Sequence, residues 1–500
     1  MADEKKEVGV SLKQLALMQT AFNSDPKNSL AQNFASNHDV LDLCIDRKVV
    51  EKTNHVFTHK VKEVKPMTNQ KSSGRCWIFA LLNVIRQKFV QEKNLDEFEF
   101  SQQYLFFWDK IERSYFFINA FLDLAKKGEK PDSRLFMFLL SNPMNDGGQW
   151  DMLVNLIEKY GIMPKAAWPE SVNSGKTRRM NVILNHKHRE FAMKFGKMVA
   201  AGASEVELQT TKNNMMAEIY RIVSICIGSP PANFTWEYYD KDKNFFKLED
   251  ITPLQFYTEH VKPLYNIKDK VCFVNDPRNP YDKMYTVEYL GNVTNGGLVR
   301  YNNQPIEVLK YLAAASLRAN EPVWFGCDVG KHFERKFSAL DLNIHNYKLA
   351  FGLSMLKLNK TERLLYGDSL MTHAMALTGL SYEDVAEVKK GESSDEEKGH
   401  KQPDKPVELV PVKTSKWRVE NSWGDDKPEK GYLLMTDEWF SEFVFEVVVD
   451  KKFVPADILA ILVQEPVVLP AWDPMGALAC GNCLSHTAGF YKRHLSQISL

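Results

Sequence analysis

The chain has 500 residues, of which 44% are hydrophobic, and its 64 Lys and Arg residues match its 64 Asp and Glu residues in number. This length and apolar content suffice for two or more domains with cores of their own. The formal net charge of zero argues against a strongly basic nucleic-acid-binding protein, and no apolar run approaches the ~20 residues of a membrane helix.

The seven cysteines are odd in number and are scattered mostly through apolar stretches. Such usage is typical of a reducing compartment and not of a disulfide-bonded secreted protein. The first residues are charged and lack the apolar segment of a secretory signal. We therefore expect a cytoplasmic protein that does not associate with membranes.

The first predicted element is an amphipathic helix in a helical lead-in over residues 1–60. Its apolar positions recur at helical spacing, and we expect this helix to lead into the core. These positions are Leu12, Leu15, Ala16, Met18 and Phe22.

Residues 61–190 contain the most informative run of the chain, which extends from Gln70 through Gly74 and Cys76 to Ala80. The apolar spacing after Cys76 predicts a buried helix that begins at the cysteine. A thiol at a helix N-terminus meets unpaired backbone N–H groups and the positive end of the helix dipole, which favour the nucleophilic thiolate. Gln70 could donate one N–H to a developing oxyanion, with the backbone N–H of Cys76 as the second donor.

Gly147 and Gly148 follow an Asn-Asp pair in the same part of the chain. Two glycines allow a close approach of another main chain, so they could offer backbone groups to an extended substrate. The same four residues are also a common turn sequence. We favour contact with a substrate.

Residues 191–300 are predicted as a helical insertion that provides subunit contacts, with Met215, Met216, Ile219 and Ile222 at helical spacing. A basic stretch over 176–179 and 186–189 could touch nucleic acid. Because the net charge is zero, a solvated helix face is the better interpretation.

Residues 301–479 are predicted as a strand-rich half that ends in a C-terminal arm. His373 follows Thr372 in a strand-like segment, and a second short strand ends in Asn421, Ser422, Trp423 and Gly424. Asn421 could accept a hydrogen bond from Nδ1–H of His373, which would leave the other ring nitrogen for the sulfur. The indole of Trp423 would keep water away from that bond. The charged stretch 383–412 within this half predicts a disordered surface loop.

The order Cys76, His373, Asn421 is that of papain-like cysteine peptidases. The first two are roughly 300 residues apart, against about 130–150 in ordinary papain-like enzymes, so a domain-sized insertion is expected between them. The segments 65–70, 145–151 and 472–479 resemble the bleomycin hydrolase family, the cytosolic and oligomeric branch of these peptidases. The resemblance extends almost from end to end.

The resemblance implies an α+β, papain-like fold with a helical half, a strand-rich barrel half and helical insertions. It implies a cysteine aminopeptidase that acts on short peptides and on amide compounds such as bleomycin, through a thioester on the cysteine. It also implies a homohexameric ring. No metal or organic cofactor is implied, and the pair Cys480 and Cys483, followed by His486, lacks the four ligands of a structural zinc site.

The C-terminus departs from the family. In members of that family the chain ends close to the position of Ala479, and its C-terminal arm lies in the active-site cleft. The terminal carboxylate can then pair with the α-amine of a substrate. This chain continues through residues 480–500. The extension is either trimmed by the enzyme itself or persists, giving a tail-inhibited or endopeptidase-like form. A nucleic-acid-binding ring with incidental catalysis is the alternative from another class.

Overall fold

The structure is a computed structural model, and it describes residues 9–383, 413–426 and 428–478. The predicted loop therefore lies, beyond its first residue, outside the described residues. The predicted extension 480–500 lies outside them as well. No helix in the described ranges is long and apolar enough to span a membrane.

Four helices form the described N-terminal segment between residues 12 and 50. Ser11 and Gln14 form a capping box at the first helix, and Asp25 caps the second. None of the residues of the first helix is buried, so it does not lead into the core as expected. The elements are α1 (Leu12–Ser24), α2 (Pro26–Ala35), α3 (Val40–Cys44), α4 (Arg47–Val50) and β1 (His59–Lys60).

The helical half is built from six helices that follow β1. The helix that begins at Cys76 is buried over almost its whole length, because its apolar residues recur on every face. Ser101 and Ser204 cap two of the other helices. The helices are α5 (Cys76–Glu92), α6 (Gln102–Lys126), α7 (Arg134–Ser141), α8 (Trp150–Tyr160), α9 (Arg178–Ala200) and α10 (Glu205–Ile227).

The strand-rich half begins earlier than predicted. The helical prediction for residues 191–300 describes the end of α9 and α10 but not the strands that follow them. These elements are β2 (Phe234–Tyr239), β3 (Phe245–Ile251), α11 (Pro253–Phe256), β4 (Lys270–Val274) and β5 (Lys283–Val287). β2 and β3 pair as a separate hairpin, whereas β4 and β5 join the main sheet.

The remaining elements complete the sheet and flank it. They are β6 (Tyr301–Asn303), α12 (Ile306–Arg318), β7 (Val323–Cys327), β8 (Phe333–Glu334), β9 (Ala339–Leu340), α13 (Tyr347–Phe351), α14 (Lys360–Leu365), β10 (His373–Glu383), β11 (Lys413–Glu420), β12 (Tyr432–Thr436), α15 (Asp437–Phe443), β13 (Val444–Asp450), α16 (Ala456–Ala460) and β14 (Val467–Leu469).

In the described residues the main sheet has 12 strands in the order β14-β5-β6-β4-β13-β7-β10-β11-β12-β9-β8, with β1 also paired to β10. β10 runs antiparallel to both β7 and β11, and His373 lies opposite Cys327 of β7. In an antiparallel pair the start of one strand lies beside the end of its partner. The first residue of β10 therefore meets the chain that leaves β11, which is where Asn421 lies.

The sheet separates two apolar cores. One core lies between the sheet and the helical half and contains Cys76 and Trp77 of α5. The other contains residues of α12 and α15. Between the halves, Arg86 of α5 and Glu420 of β11 form a buried ion pair of 2.8 Å. The candidate active site lies at this junction of helices and sheet.

Candidate active site

Cys76 is the first residue of α5, as predicted, and its side chain is fully buried. α5 packs against β7 and β10 of the sheet. The backbone N–H groups of Cys76, Trp77 and Ala374 form hydrogen bonds that favour the thiolate. Since Ala374 follows His373 on β10, the predicted nucleophile and the predicted base meet at the same end of the sheet.

Burial has the largest effect on the ionisation of this thiol. It raises the pKa of Cys76 to about 12, although the three backbone N–H groups oppose it and the charge of Asp146 adds to it. The helix N-terminus therefore acts in the predicted direction, but the loss of water around the sulfur outweighs it. Burial of the sulfur thus opposes the predicted stabilisation of the thiolate.

His373 and Asn421 form the predicted buried hydrogen bond. The distance from His373 Nε2 to Asn421 Oδ1 is 2.9 Å, and the two residues are 0% and 1% exposed. The predicted ring nitrogen was wrong, because Nε2 and not Nδ1 meets the amide. His373 Nδ1 is buried and has no hydrogen-bond partner among the described residues, so it is the nitrogen left for the sulfur.

Burial acts on the imidazole of His373 as well. Burial lowers the pKa of His373 to about 4, and the hydrogen bond with Asn421 opposes this effect. A neutral imidazole with one nitrogen held by an amide oxygen can accept a proton at the other nitrogen. The pair can therefore act as a nucleophile with its base.

Trp423 lies beside the histidine, as predicted. Its ring centroid is 5.3 Å from that of His373, with 35° between the two planes. On its other sides the indole approaches Phe333, at 6.0 Å between centroids, and the guanidinium of Arg335, at 5.8 Å. The ring thus shields one side of the bond between His373 and Asn421.

Gln70 is buried and is held from both sides. Its Nε2 donates to the carbonyl of Ser73 at 2.7 Å, and its Oε1 accepts from Ser422 Oγ at 2.6 Å. The backbone N–H of Ser422 donates to Asn421 Oδ1 at 2.8 Å. Ser422 thus joins Gln70 to Asn421 across the two halves. Sequence reasoning assigned it no role, although it lies between the predicted Asn421 and Trp423.

Gly147 and Gly148 lie next to the nucleophile helix. The N–H of Gly147 donates to Asn145 Oδ1 at 2.9 Å, and its carbonyl accepts from Arg113 at 2.7 Å. A Cβ on Gly148 would approach the ring of Trp77 to 2.5 Å, so only glycine fits there. Both backbone groups of Gly147 thus have partners within the protein, and the substrate contact of the two glycines stays a prediction.

The chain before Ala479 lies along this site. Gln149 Nε2 donates to the carbonyl of Ala477 at 2.6 Å, and Tyr301 Oη donates to that of Met475 at 3.0 Å. Leu478 packs against the apolar core that contains Cys76. Gln149 therefore holds the arm one residue after Gly148, next to the predicted substrate segment.

The basic stretch forms bonds with neighbouring segments of the protein. In the basic stretch, Lys187 pairs with Glu218 of α10 at 2.8 Å, and Arg189 donates to the carbonyl of Ser141 at 2.9 Å. These charges are thus used between neighbouring segments of the protein.

No cluster of three or more His, Cys, Asp or Glu side chains that could hold a metal occurs in the described parts of the chain. Cys480, Cys483 and His486 lie outside them.

Comparison with known proteins agrees with this geometry. The model of the Peptidase C1-like family matches residues 9–402 and 407–476. Bleomycin hydrolase of Rattus norvegicus is 56% identical over 94% of this chain and 99% of its own. Aminopeptidase C of Streptococcus thermophilus is 37% identical over 92% of this chain and 96% of its own. These names favour an aminopeptidase over a tail-inhibited or endopeptidase-like form and over a nucleic-acid-binding ring.

A solved structure shows the same fold. The crystal structure of PepW from Lactobacillus rhamnosis HN001 superposes with a TM-score of 0.86 at 38% identity, and covers 94% of this chain and 100% of that one. The predicted α+β, papain-like architecture is thereby confirmed. The chain belongs to the Peptidase C1-like family, and its predicted assignment as a cysteine aminopeptidase of the bleomycin hydrolase type is confirmed.

Proposed function

We propose that Cys76 is the nucleophile of this peptidase and that His373 is its general base and acid. The observation that carries this assignment is the buried 2.9 Å hydrogen bond between His373 and Asn421, formed beside the start of α5. It fixes the ring so that Nδ1 is the free nitrogen. Asn421 acts as the residue that orients His373, and Trp423 shields their bond from water.

In the first step the thiol of Cys76 attacks the carbonyl carbon of the substrate while its proton passes to His373 Nδ1. This route requires no buried charge before attack, and burial disfavours the charged form of both groups. The imidazolium then protonates the leaving amine, and a thioester remains on Cys76. Water hydrolyses the thioester with His373 as base.

The oxyanion of each tetrahedral intermediate is held by the N–H of Cys76 and by Gln70. A side-chain amide has two N–H bonds, and one of those of Gln70 is directed at Ser73. The other is available to the oxyanion. Because Ser422 holds the amide oxygen, the donor is oriented before the substrate arrives, which is the condition for effective electrostatic stabilisation.

The substrates are short peptides with a free amino end, and amide compounds such as bleomycin. Two features support this class. Relatives named bleomycin hydrolase and aminopeptidase C match nearly the whole chain, and Gln149, the residue after Gly148, holds the carbonyl of Ala477 in the C-terminal arm. An arm held beside the substrate segment would leave room for little more than one residue before the scissile bond. Gly148 would contact the main chain of that residue.

The protein assembles as a homohexamer in the cytoplasm. Exposed apolar side chains support the assembly, because surfaces of this kind mark contacts between proteins. In α1 and α2, Leu12, Leu17, Met18 and Leu30 are 84%, 62%, 60% and 72% exposed. α2 packs on α3 and α3 on α13, where Leu349 is 73% exposed. The five described cysteines are free thiols, as a reducing compartment requires.

The thioester gives a direct test of the nucleophile. Wild-type protein and the Cys76→Ala variant are mixed with an excess of an amino-acid ester, quenched in acid within milliseconds, and digested for mass spectrometry. We expect the mass of one aminoacyl group on the peptide that contains Cys76. An acyl group on another residue, or hydrolysis by the Cys76→Ala variant at the wild-type rate, would contradict the assignment.

A further inference from the structure

Asp146 is a buried carboxylate that receives four hydrogen-bond donors from three segments of the chain. Its Oδ1 accepts from Lys110 Nζ at 2.9 Å and from Asn181 Nδ2 at 2.6 Å. Its Oδ2 accepts from the backbone N–H of Gly74 at 3.0 Å and from the hydroxyl of Thr177. Both oxygens are therefore fully used.

Two of the contacts of Asp146 reach the nucleophile. Gly74 lies two residues before Cys76, and the indole N–H of Trp77, the residue after it, donates to the backbone carbonyl of Asp146 at 2.7 Å. Asp146 thus holds the chain on both sides of the cysteine. The backbone N–H of Cys76, the second proposed oxyanion donor, lies between these two attachments.

The neighbours of Asp146 belong to the proposed substrate contact. Lys110 also donates to the carbonyls of Met144 and Asn145, at 3.0 Å each. Gly148, two residues after Asp146, lies so close to the ring of Trp77 that a Cβ would reach it at 2.5 Å. One residue therefore connects the segment 70–77, which carries the nucleophile, to the segment 144–148, which faces the substrate.

We propose that Asp146 is a positioning residue that keeps the nucleophile segment and the substrate segment in register. This inference rests on the proposed roles of Cys76 and Gly148. Attack requires the sulfur and the carbonyl carbon to meet within a few tenths of an ångström of the productive distance. A direct link between the two segments that carry these atoms is a short way to secure it.

The charge and the number of oxygens at this position both matter. Lys110 is completely buried, so it needs an opposite charge within reach. An asparagine would supply no charge and only one acceptor oxygen. The substitution would remove either the two contacts of Oδ1 or the two contacts of Oδ2. The bond to Gly74 is one of the contacts of Oδ2.

The test compares Asp146→Asn with Asp437→Asn. Asp437 is a matched control, because its carboxylate also accepts from a lysine and a threonine, Lys310 at 2.6 Å and Thr414 at 2.5 Å. It lies at the start of α15, on the other side of the sheet. The fraction of intact sites is measured by iodoacetamide labelling of Cys76. For an amino-acid aminomethylcoumarin amide, KM is measured and kcat is expressed per labelled site.

We expect kcat per labelled Cys76 to fall on the order of 10- to 100-fold in Asp146→Asn, the size of effect that a displacement of about 1 Å produces. KM changes little, and Asp437→Asn stays within about twofold of wild type, the range of a change remote from the chemistry. Thr177→Val removes one contact of Asp146 without removing its charge, and we expect a smaller loss in kcat. It decides the question if Asp146→Asn does not fold.

Two results would overturn the inference: wild-type kcat per labelled site in the folded Asp146 or Thr177 variant, or an equal loss in Asp437→Asn. A purely structural role would lower the number of intact sites and leave kcat per site unchanged. Failure of the proposed function is separate, since it would appear as a wild-type protein that does not hydrolyse the amide or as a Cys76→Ala variant that does.

Discussion

Replacing Asn421 by alanine tests the proposed orientation of the base. The substitution removes a buried hydrogen bond to an imidazole that becomes charged during the reaction. Such a bond contributes about 1.5–3 kcal/mol, and about 1.4 kcal/mol corresponds to a tenfold change in rate. We therefore expect kcat/KM of Asn421→Ala to fall about 10- to 150-fold.

The pH dependence of kcat/KM supplies a second readout. His373 must be neutral to accept the thiol proton, and its pKa is held at about 4 by burial against the opposing bond to Asn421. Without that bond the pKa falls further, so the acid limb of kcat/KM moves to lower pH. An acid limb that moves to higher pH, or a kcat/KM within about twofold of wild type, would refute the reasoning.

Asn302 provides a matched control for this substitution. It is a fully buried asparagine on β6, and its side chain donates to the carbonyl of Ile458 at 3.3 Å. Asn302→Ala should lower the thermal stability of the protein, because it removes a buried amide that is hydrogen-bonded. We expect kcat/KM per intact site to remain at the wild-type value.

Three further predictions concern the substrate segment, the assembly and the C-terminus. Gly148→Ala should lower kcat/KM by moving the segment away from the indole beneath it, whereas Gly196→Ala in α9, where a Cβ meets nothing within 4 Å, should keep full activity; equal activity of the two variants would argue against a close substrate contact. Leu12→Glu combined with Met18→Glu should reduce the mass in sedimentation from about six times the 57.5 kDa chain toward that of single chains, and an unchanged mass would exclude this surface from the assembly. Intact mass after incubation should show loss of residues 480–500 from wild type but not from Cys76→Ala, and equal shortening of both would rule out self-trimming.

The candidate residues of the site could be named from the sequence, because each is recognisable from its immediate neighbours. Cys76 lies two residues after a glycine and begins an apolar helix, and Asn421 follows a short strand and precedes a serine and a tryptophan. Which nitrogen of His373 meets Asn421 could not be predicted in this way. It depends on the direction in which β10 and β11 meet, and that is set by the register of the whole sheet.

Interactions between segments that are distant in the chain could not be predicted either, because they depend on how the folded chain brings those segments together. Asp146 and Lys110 are 36 positions apart in the chain, and Lys110 reads from the sequence as one charge on a long helix. A cluster of charges within the otherwise apolar stretch 104–121 was the available signal. The strands β4 and β5 were overlooked because each is short and the sheet that stabilises them is assembled from remote segments.

The measurement that tests the central claim most directly uses two fluorogenic amino-acid amides that differ in one feature. One has a free α-amine and the other is acetylated, and both are given to wild type and to Cys76→Ala. We expect wild type to cleave the free-amine substrate alone and the variant to cleave neither. Cleavage of the acetylated substrate at a comparable rate, or activity that survives in Cys76→Ala, would contradict a Cys76-dependent aminopeptidase.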